Sequence, residues 1–249
     1  MFAALNVAVD EAMDTQLTRK VRPSLAFDEW NVWYRFRLMR APAADIEETY
    51  NYGDALTVAT IFHVLFRNTR TVKLSNISEA VNVLGSITTS ADDCIRQSIW
   101  YPQKLYRDCH SGRAVETVVD GPLFAAKHER YFCGIVDPEK AKDETQPTLV
   151  HFDDVPALDV LTTIDDARKR MSISVIQKLE DRALATRLTF RGVQPRGSRV
   201  KVHRLTGQSV LAANTFENPH EVGIETATED IAGTFTFPPA SLTILEFDL

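Results

Sequence analysis

The spacing of apolar positions changes once along the chain, close to Gly112. Before that point it follows the helical period. Phe2, Leu5, Val9, Met13 and Leu17 recur at three and four residues with polar groups opposite, which predicts an amphipathic helix. After Arg22-Pro23, the short apolar run 24–27 predicts a strand with Asp28-Glu29-Trp30 at its C-terminal end, and a loop follows through Ala41-Pro42. Asn51 with Asp54 three residues on is a capping-box pattern. The helix it starts is apolar nearly all round (Leu56, Val58, Ala59, Ile61, Phe62, Leu65, Phe66), so burial is expected. A second strand over 71–75, a helical turn over 78–84 and a helix over 97–109, with Pro102 near its first turn, complete this part.

Beyond Gly112 the period becomes two. Short runs at 148–152, 158–164, 171–177, 184–190, 199–205, 234–237 and 242–247 are separated by Gly, Pro, Asp and Asn. Met171, Ile173 and Val175 alternate with Ser172 and Ser174, and Phe235 and Phe237 with Thr234 and Thr236. Such strands and turns predict an antiparallel, jelly-roll-like β-sandwich. The first part holds only two strands of a parallel α/β arrangement, whereas a closed (β/α)8 barrel uses eight and about 250 residues. The expected fold class is therefore α/β plus all-β. Residues 1–112 are the C-terminal part of an incomplete (β/α)8 TIM barrel, and 113–249 the sandwich, with 107–113 as the linker.

Composition narrows the partners. With 44% hydrophobic and 25% charged residues and a net charge of -6, the chain is an ordinary globular protein. Its basic residues cluster only at Arg19-Lys20 and Arg168-Lys169-Arg170, which argues against nucleic acid. Cys94, Cys109 and Cys133 are odd in number and lack CxxC spacing, so reduced thiols are expected. The apolar run 55–66 is broken by threonines and His63 and is too short to span a membrane. The N-terminus lacks a basic region and turns acidic at Asp10-Glu11, a poor signal peptide, and a cytoplasmic location is expected.

Asp28-Glu29-Trp30 admits three interpretations. One carboxylate caps a helix or pairs with an arginine such as Arg35; or the acids stand at the C-terminal end of a barrel strand, where such enzymes carry their chemistry. Paired carboxylates beside tryptophans suit glycoside cleavage, which needs one acid for the leaving oxygen, another for the anomeric carbon, and flat rings against the sugar. A metal site is the weakest interpretation: no histidine falls in HExxH spacing, and neither His128-Glu129 nor His220-Glu221 is followed by the second histidine. GxSxG and GxGxxG are absent. Asn76-Ile77-Ser78 is a formal glycosylation sequon, with a buried or site-lining asparagine expected instead of a glycan.

Seven ordered stretches carry a family resemblance. They are FDEWNVWY from Phe27, Tyr50-Asn51 to Ala55, Val72-Lys73-Leu74 with Ala80-Val81-Asn82-Val83, Gln97-Ser98-Ile99-Trp100-Tyr101-Pro102, Val155-Pro156-Ala157-Leu158-Asp159-Val160, Asn214-Thr215-Phe216-Glu217-Asn218-Pro219, and Phe237-Pro238-Pro239-Ala240-Ser241-Leu242. In this order they resemble the C-terminal half of the α-L-arabinofuranosidases of glycoside hydrolase family 51. The resemblance implies retaining hydrolysis of terminal α-L-arabinofuranosyl groups from arabinan, arabinoxylan or related oligosaccharides, without metal or organic cofactor. It implies that Glu29 is the nucleophile and Trp33 an aromatic residue beside the substrate. The family's acid/base lies in a Gly-Asn-Glu motif that is absent from these residues, so the chain resembles a truncated form, inactive by itself. Where the family has glutamine, Glu79 adds a third carboxylate near the sugar. The resemblance also implies homo-oligomers at full length. Rival functions are a non-catalytic remnant or sandwich interaction module, and a related barrel glycosidase acting on xylosides or glucosides.

Overall fold

The computed structural model describes residues 24–33, 47–130 and 148–249. The helical pattern at 2–17, the loop through Ala41-Pro42, Arg35 and Cys133 lie outside the described residues.

The first strand, β1 (Leu25–Trp30), pairs in parallel with β2 (Val72–Ile77), and the chain between them contains α1 (Tyr52–Arg67). A parallel pair needs such a crossover. The start of α1 is set by the reciprocal cap expected from the sequence. Asn51 Oδ1 accepts the Asp54 amide at 3.0 Å, and Asp54 Oδ2 accepts the Asn51 amide at 2.8 Å. Its all-round apolar character has a clear cause. Val58 and Leu65 pack with Trp30, Tyr50, Val72 and Ile99, while Ala55 and Ala59 face a second core formed with α2 (Trp100–Cys109) and the large sheet. The helix is covered on two sides.

The helical turn expected over 78–84 is not formed. β3 (Glu79–Val81) runs into a turn and then β4 (Gly85–Thr89) and β5 (Cys94–Arg96). Asn82 and Val83 have φ of 56° and 49°, in the left-handed region. The Asn82 side chain accepts the Thr89 amide at 2.7 Å, and its backbone amide donates to the Ile87 carbonyl at 2.7 Å. Local side-chain bonding of this kind competes with a helix. Asn76, expected buried or site-lining, is exposed on β2.

The remaining strands are β6 (Arg113–Val115), β7 (Leu123–Arg130), β8 (Thr148–Pro156), β9 (Leu158–Asp165), β10 (Arg170–Gln177), β11 (Leu184–Arg187), β12 (Arg199–Thr206), β13 (Gly223–Asp230), β14 (Thr234–Phe237) and β15 (Ser241–Asp248). An antiparallel sheet of order β13-β12-β15-β10-β9-β6 forms the centre, and β7-β8 and β11-β14 are separate pairs. On one face Met171, Ile173, Val175, Val200, Val202, Leu245 and Phe247 meet Phe235 and Phe237 of β14, which is sandwich packing. On the other face Leu161, Ile176, Leu205, Leu242 and Ile244 pack against α1 and α2.

Helix cover explains why β10 departs from a half-exposed strand. Ser172 and Ser174 are buried too, because they lie under the helices. Ser172 Oγ donates to the Cys109 carbonyl at 2.6 Å. Small hydroxyl residues let the helices approach while giving buried polar groups a partner. The stretch 107–113 is likewise tied down. His110 Nδ1 lies 2.9 Å from Thr163 Oγ1, Ser111 Oγ donates to Asp165 at 2.6 Å, and Gly112 turns at φ 77° against the Ile164 carbonyl.

Candidate active site

A β-bulge sits at the acid pair. Phe27 is opposite Ser75 and Trp30 opposite Ile77, so β1 spends three residues where β2 spends two. Strict alternation would put Glu29 on the side of Leu25 and Phe27, which is turned toward the core. The extra residue puts Trp30 there instead and leaves Asp28 and Glu29 both exposed. Trp30 is anchored: its indole N–H donates to Ser75 Oγ at 2.7 Å and its ring meets the Phe62 ring edge-on at 5.5 Å. Of the two tryptophans expected to wall a sugar site, Trp30 is therefore a core residue, and only Trp33, 57% exposed, is free to meet a ligand.

The same end of the parallel pair carries Glu79. The Ser78 amide donates to the Trp30 carbonyl at 3.0 Å, so Glu79, the next residue, emerges beside the end of β1 and is exposed. Asn31 Nδ2 donates to the Leu84 carbonyl (2.6 Å), the Val32 amide donates to Asn31 Oδ1 (2.8 Å), and Tyr50 Oη donates to the Val32 carbonyl (2.9 Å). These bonds hold the segment that ends at Trp33.

The sequence marks Gln97 only as the first residue of the QSIWYP stretch and gives it no place in the site. Gln97 is buried, accepts the Tyr50 amide at 2.8 Å, and donates to the carbonyls of Glu48 (3.0 Å) and Gly85 (3.1 Å). It ties the segment at Glu48 and Tyr50, β4 and the start of α2 together. Its place in the QSIWYP stretch was the available signal.

A second constellation has the geometry of a nucleophile triad and none of the access. His63 Nδ1 lies 2.9 Å from Asp159 Oδ1 and Nε2 lies 2.8 Å from Ser174 Oγ. His63 and Ser174 are both 0% exposed, sealed between α1 and the sheet, so no substrate reaches the hydroxyl. Burial pushes the His63 pKa below its ordinary value against the pull of Asp159. Burial works to raise the Asp159 pKa, but hydrogen bonds from His63 and Arg67 outweigh it and hold the carboxyl low. The cluster is a strut joining α1 to β9 and β10.

With an exposed acid presented by a bulge at the C-terminal end of a parallel strand, comparison with known proteins becomes decisive. The family model for the alpha-L-arabinofuranosidase C-terminal domain matches residues 28–241. The chain belongs to this family. The match spans Glu29, Trp33 and Glu79, and an arabinofuranosidase C-terminal portion accounts for the sandwich. A probable alpha-L-arabinofuranosidase C from Aspergillus clavatus is 31% identical over 229 residues, covering 92% of this chain and 40% of that protein. An intracellular exo-alpha-(1->5)-L-arabinofuranosidase from Bacillus subtilis is 24% identical over 237 residues, covering 89% of this chain and 42% of that protein. Among solved structures, the Thermotoga maritima alpha-L-arabinofuranosidase in complex with arabinose matches with a TM-score of 0.79 at 27% identity, covering 100% of this chain and 47% of that one. The thermostable family 51 enzyme of Thermotoga petrophila gives 0.78 at 26% identity, covering 98% and 48%. The chain thus spans about two-fifths of the length of these curated relatives. No helix among the described residues is long and apolar enough to cross a membrane.

Proposed function

We propose that this chain supplies the nucleophile part of a retaining α-L-arabinofuranosidase acting on terminal α-L-arabinofuranosyl groups of arabinan, arabinoxylan or arabino-oligosaccharides. The carrying observation is the bulge that presents Glu29 at the C-terminal end of a parallel strand, inside a segment matched by the arabinofuranosidase family. Residues 1–112 are then the closing part of a (β/α)8 barrel, since parallel strands joined by helices present their chemistry at that end. Residues 113–249 form the sandwich domain. Trp33 offers its exposed ring to the apolar face of the sugar, and Glu79 adds negative charge beside it.

In this mechanism a Glu29 carboxylate oxygen attacks the anomeric carbon. The bond to the leaving oxygen breaks, and that oxygen takes a proton from a second carboxylic acid about 5 to 5.5 Å away. The same group then takes a proton from water, which cleaves the arabinosyl ester and regenerates Glu29. No Gly-Asn-Glu occurs in the 249 residues, so the proposal places the second acid on another segment. No cofactor is required by this chemistry. A cytoplasmic site of action is proposed, in keeping with the name of the intracellular Bacillus subtilis relative.

The test is a chimera in which the part of the Aspergillus clavatus relative that precedes its match is joined to this chain. It should hydrolyse an aryl arabinofuranoside in preference to an aryl xyloside, with retention. Glu29→Ala should lower the rate to background in a protein that stays folded, and azide should restore turnover with inverted product. Substantial activity in Glu29→Ala removes Glu29 from the role. A folded, inactive chimera with Glu29 intact favours an interaction module.

A further inference from the structure

Away from the acids, one cluster of side chains has the chemistry of a ligand set. Cys109 ends α2, His203 lies on β12 and Glu246 on β15, and all three are buried. Their Sγ, imidazole nitrogen and carboxylate oxygen lie within 4.8 Å of one another, the one such grouping among the described residues. An ion-pair network accounts for part of it. Arg170 holds Glu246 Oε2 at 2.6 Å, while Oε1 faces His203 Nε2 at 2.8 Å and Lys201 Nζ at 3.4 Å. That network does not use the thiol, which nonetheless faces the same centre.

Three features prepare the cluster for an ion. His203 Nδ1 lies 2.9 Å from Thr226 Oγ1, a hydroxyl able to accept a proton held on Nδ1 and so leave Nε2 as the donor to a metal. Arg170 binds Oε2, the oxygen that a metal on Oε1 leaves unused, in the manner of the outer contacts that steady ligating carboxylates. Lys201, the cation opposite Oε1, is 55% exposed and can turn into solvent. One thiolate and one carboxylate balance a divalent charge, with Arg170 left as a further cation on the carboxylate. Sulfur, imidazole and carboxylate together are the donor set of zinc-class ions.

We propose that Cys109, His203 and Glu246 bind one borderline-soft divalent metal ion of the Zn2+ class, clamping the end of α2 to the central sheet. The metal replaces the proton on Sγ and any proton on Nε2, one proton stays on Nδ1 toward Thr226, and water fills the fourth position. With bond lengths of about 2.3 Å to sulfur and 2.0–2.1 Å to nitrogen and oxygen, a tetrahedral ion spaces its donors about 3.3–3.6 Å apart, so His203 Nε2 and Glu246 Oε1, 2.8 Å apart, open by about half an ångström, and a pair near the 4.8 Å limit closes by a little over 1 Å. The role is structural and independent of the glycosidase proposal.

The experiment uses the purified 249-residue chain carrying Cys94→Ser and Cys133→Ser, which leaves Cys109 as its one thiol. Titration with Co2+ should give a thiolate-to-cobalt charge-transfer band that saturates at one equivalent and disappears when Zn2+ is added. Adding Cys109→Ser should abolish the band. Because that substitution alters a buried position, X-ray absorption of the zinc-loaded double variant gives a second readout that needs no change at the site. Its zinc shell should contain one sulfur at about 2.3 Å. A zinc shell of nitrogen and oxygen alone, no cobalt band, or a band that survives Cys109→Ser would each overturn the proposal.

Discussion

Asp159→Asn measures what the sealed Ser174–His63–Asp159 strut contributes. In the native protein one carboxylate oxygen accepts from His63 Nδ1 at 2.9 Å and from Arg67. Hydrogen bonds to a charged group are worth about 1.5–3 kcal/mol against 0.5–1.5 for neutral ones, so asparagine forfeits roughly 1–1.5 kcal/mol per bond. The Arg67 side chain is 43% exposed and its share is screened, which brings the expected loss to about 2 kcal/mol. For a chain of this size that lowers Tm by roughly 4–8 °C. The pH dependence gives the sharper check. The folded carboxyl is held below its unfolded value, so its contribution is complete above the ordinary carboxylate range and is lost as pH falls toward the folded value. His63 has the opposite relation. Its pKa is lowered by burial, the unfolded chain takes up the proton first, and stability falls by up to about 1.4 kcal/mol per pH unit below the unfolded histidine value near 6.5. Urea unfolding should therefore show both proteins losing stability as pH falls below about 6.5, and the gap between them closing below about pH 4. A gap under about 0.5 kcal/mol at pH 7, or one that persists undiminished at pH 3, would refute the assigned role of the carboxylate.

Other expected outcomes concern the frame and the site. Gly112→Ala places a Cβ 2.1 Å from the Ile164 carbonyl oxygen at φ 77° and should cost on the order of 2–4 kcal/mol in urea unfolding. Gln97→Leu removes three buried hydrogen bonds and should destabilise by about 3–5 kcal/mol, with proteolysis of 47–50 accelerated. In the active chimera, Glu79→Gln should change kcat/KM on aryl arabinofuranosides three- to fivefold, the effect of one exposed charge interaction of roughly 0.6–1 kcal/mol, and Glu225→Gln on β13 should leave it unchanged.

The sequence by itself determined the features that short-range physics controls. The reciprocal cap at Asn51 and Asp54 needs only four residues, and β14 appears at 234–237 as its alternation predicts. The ordered landmarks, FDEWNVWY to FPPASL, also carried the family, because several separate stretches in one order are far more specific than any one of them. Tertiary structure decided whatever depends on a partner distant in sequence. Glu29 and Trp30 are adjacent acid and aromatic in the sequence, and only the register against Ser75 and Ile77 shows that the tryptophan turns in while the acid turns out. β13, with its run of exposed polar residues, carries no apolar alternation and becomes a strand because β12 offers it a hydrogen-bonding edge. Ser172 and Ser174 look solvent-facing until two helices cover them. Cys109, His203 and Glu246 have no motif spacing at all, since their meeting requires a helix end and two neighbouring strands of the folded sheet. Period and caps are local properties of the chain, whereas register, burial and the convergence of donors arise only when elements pack.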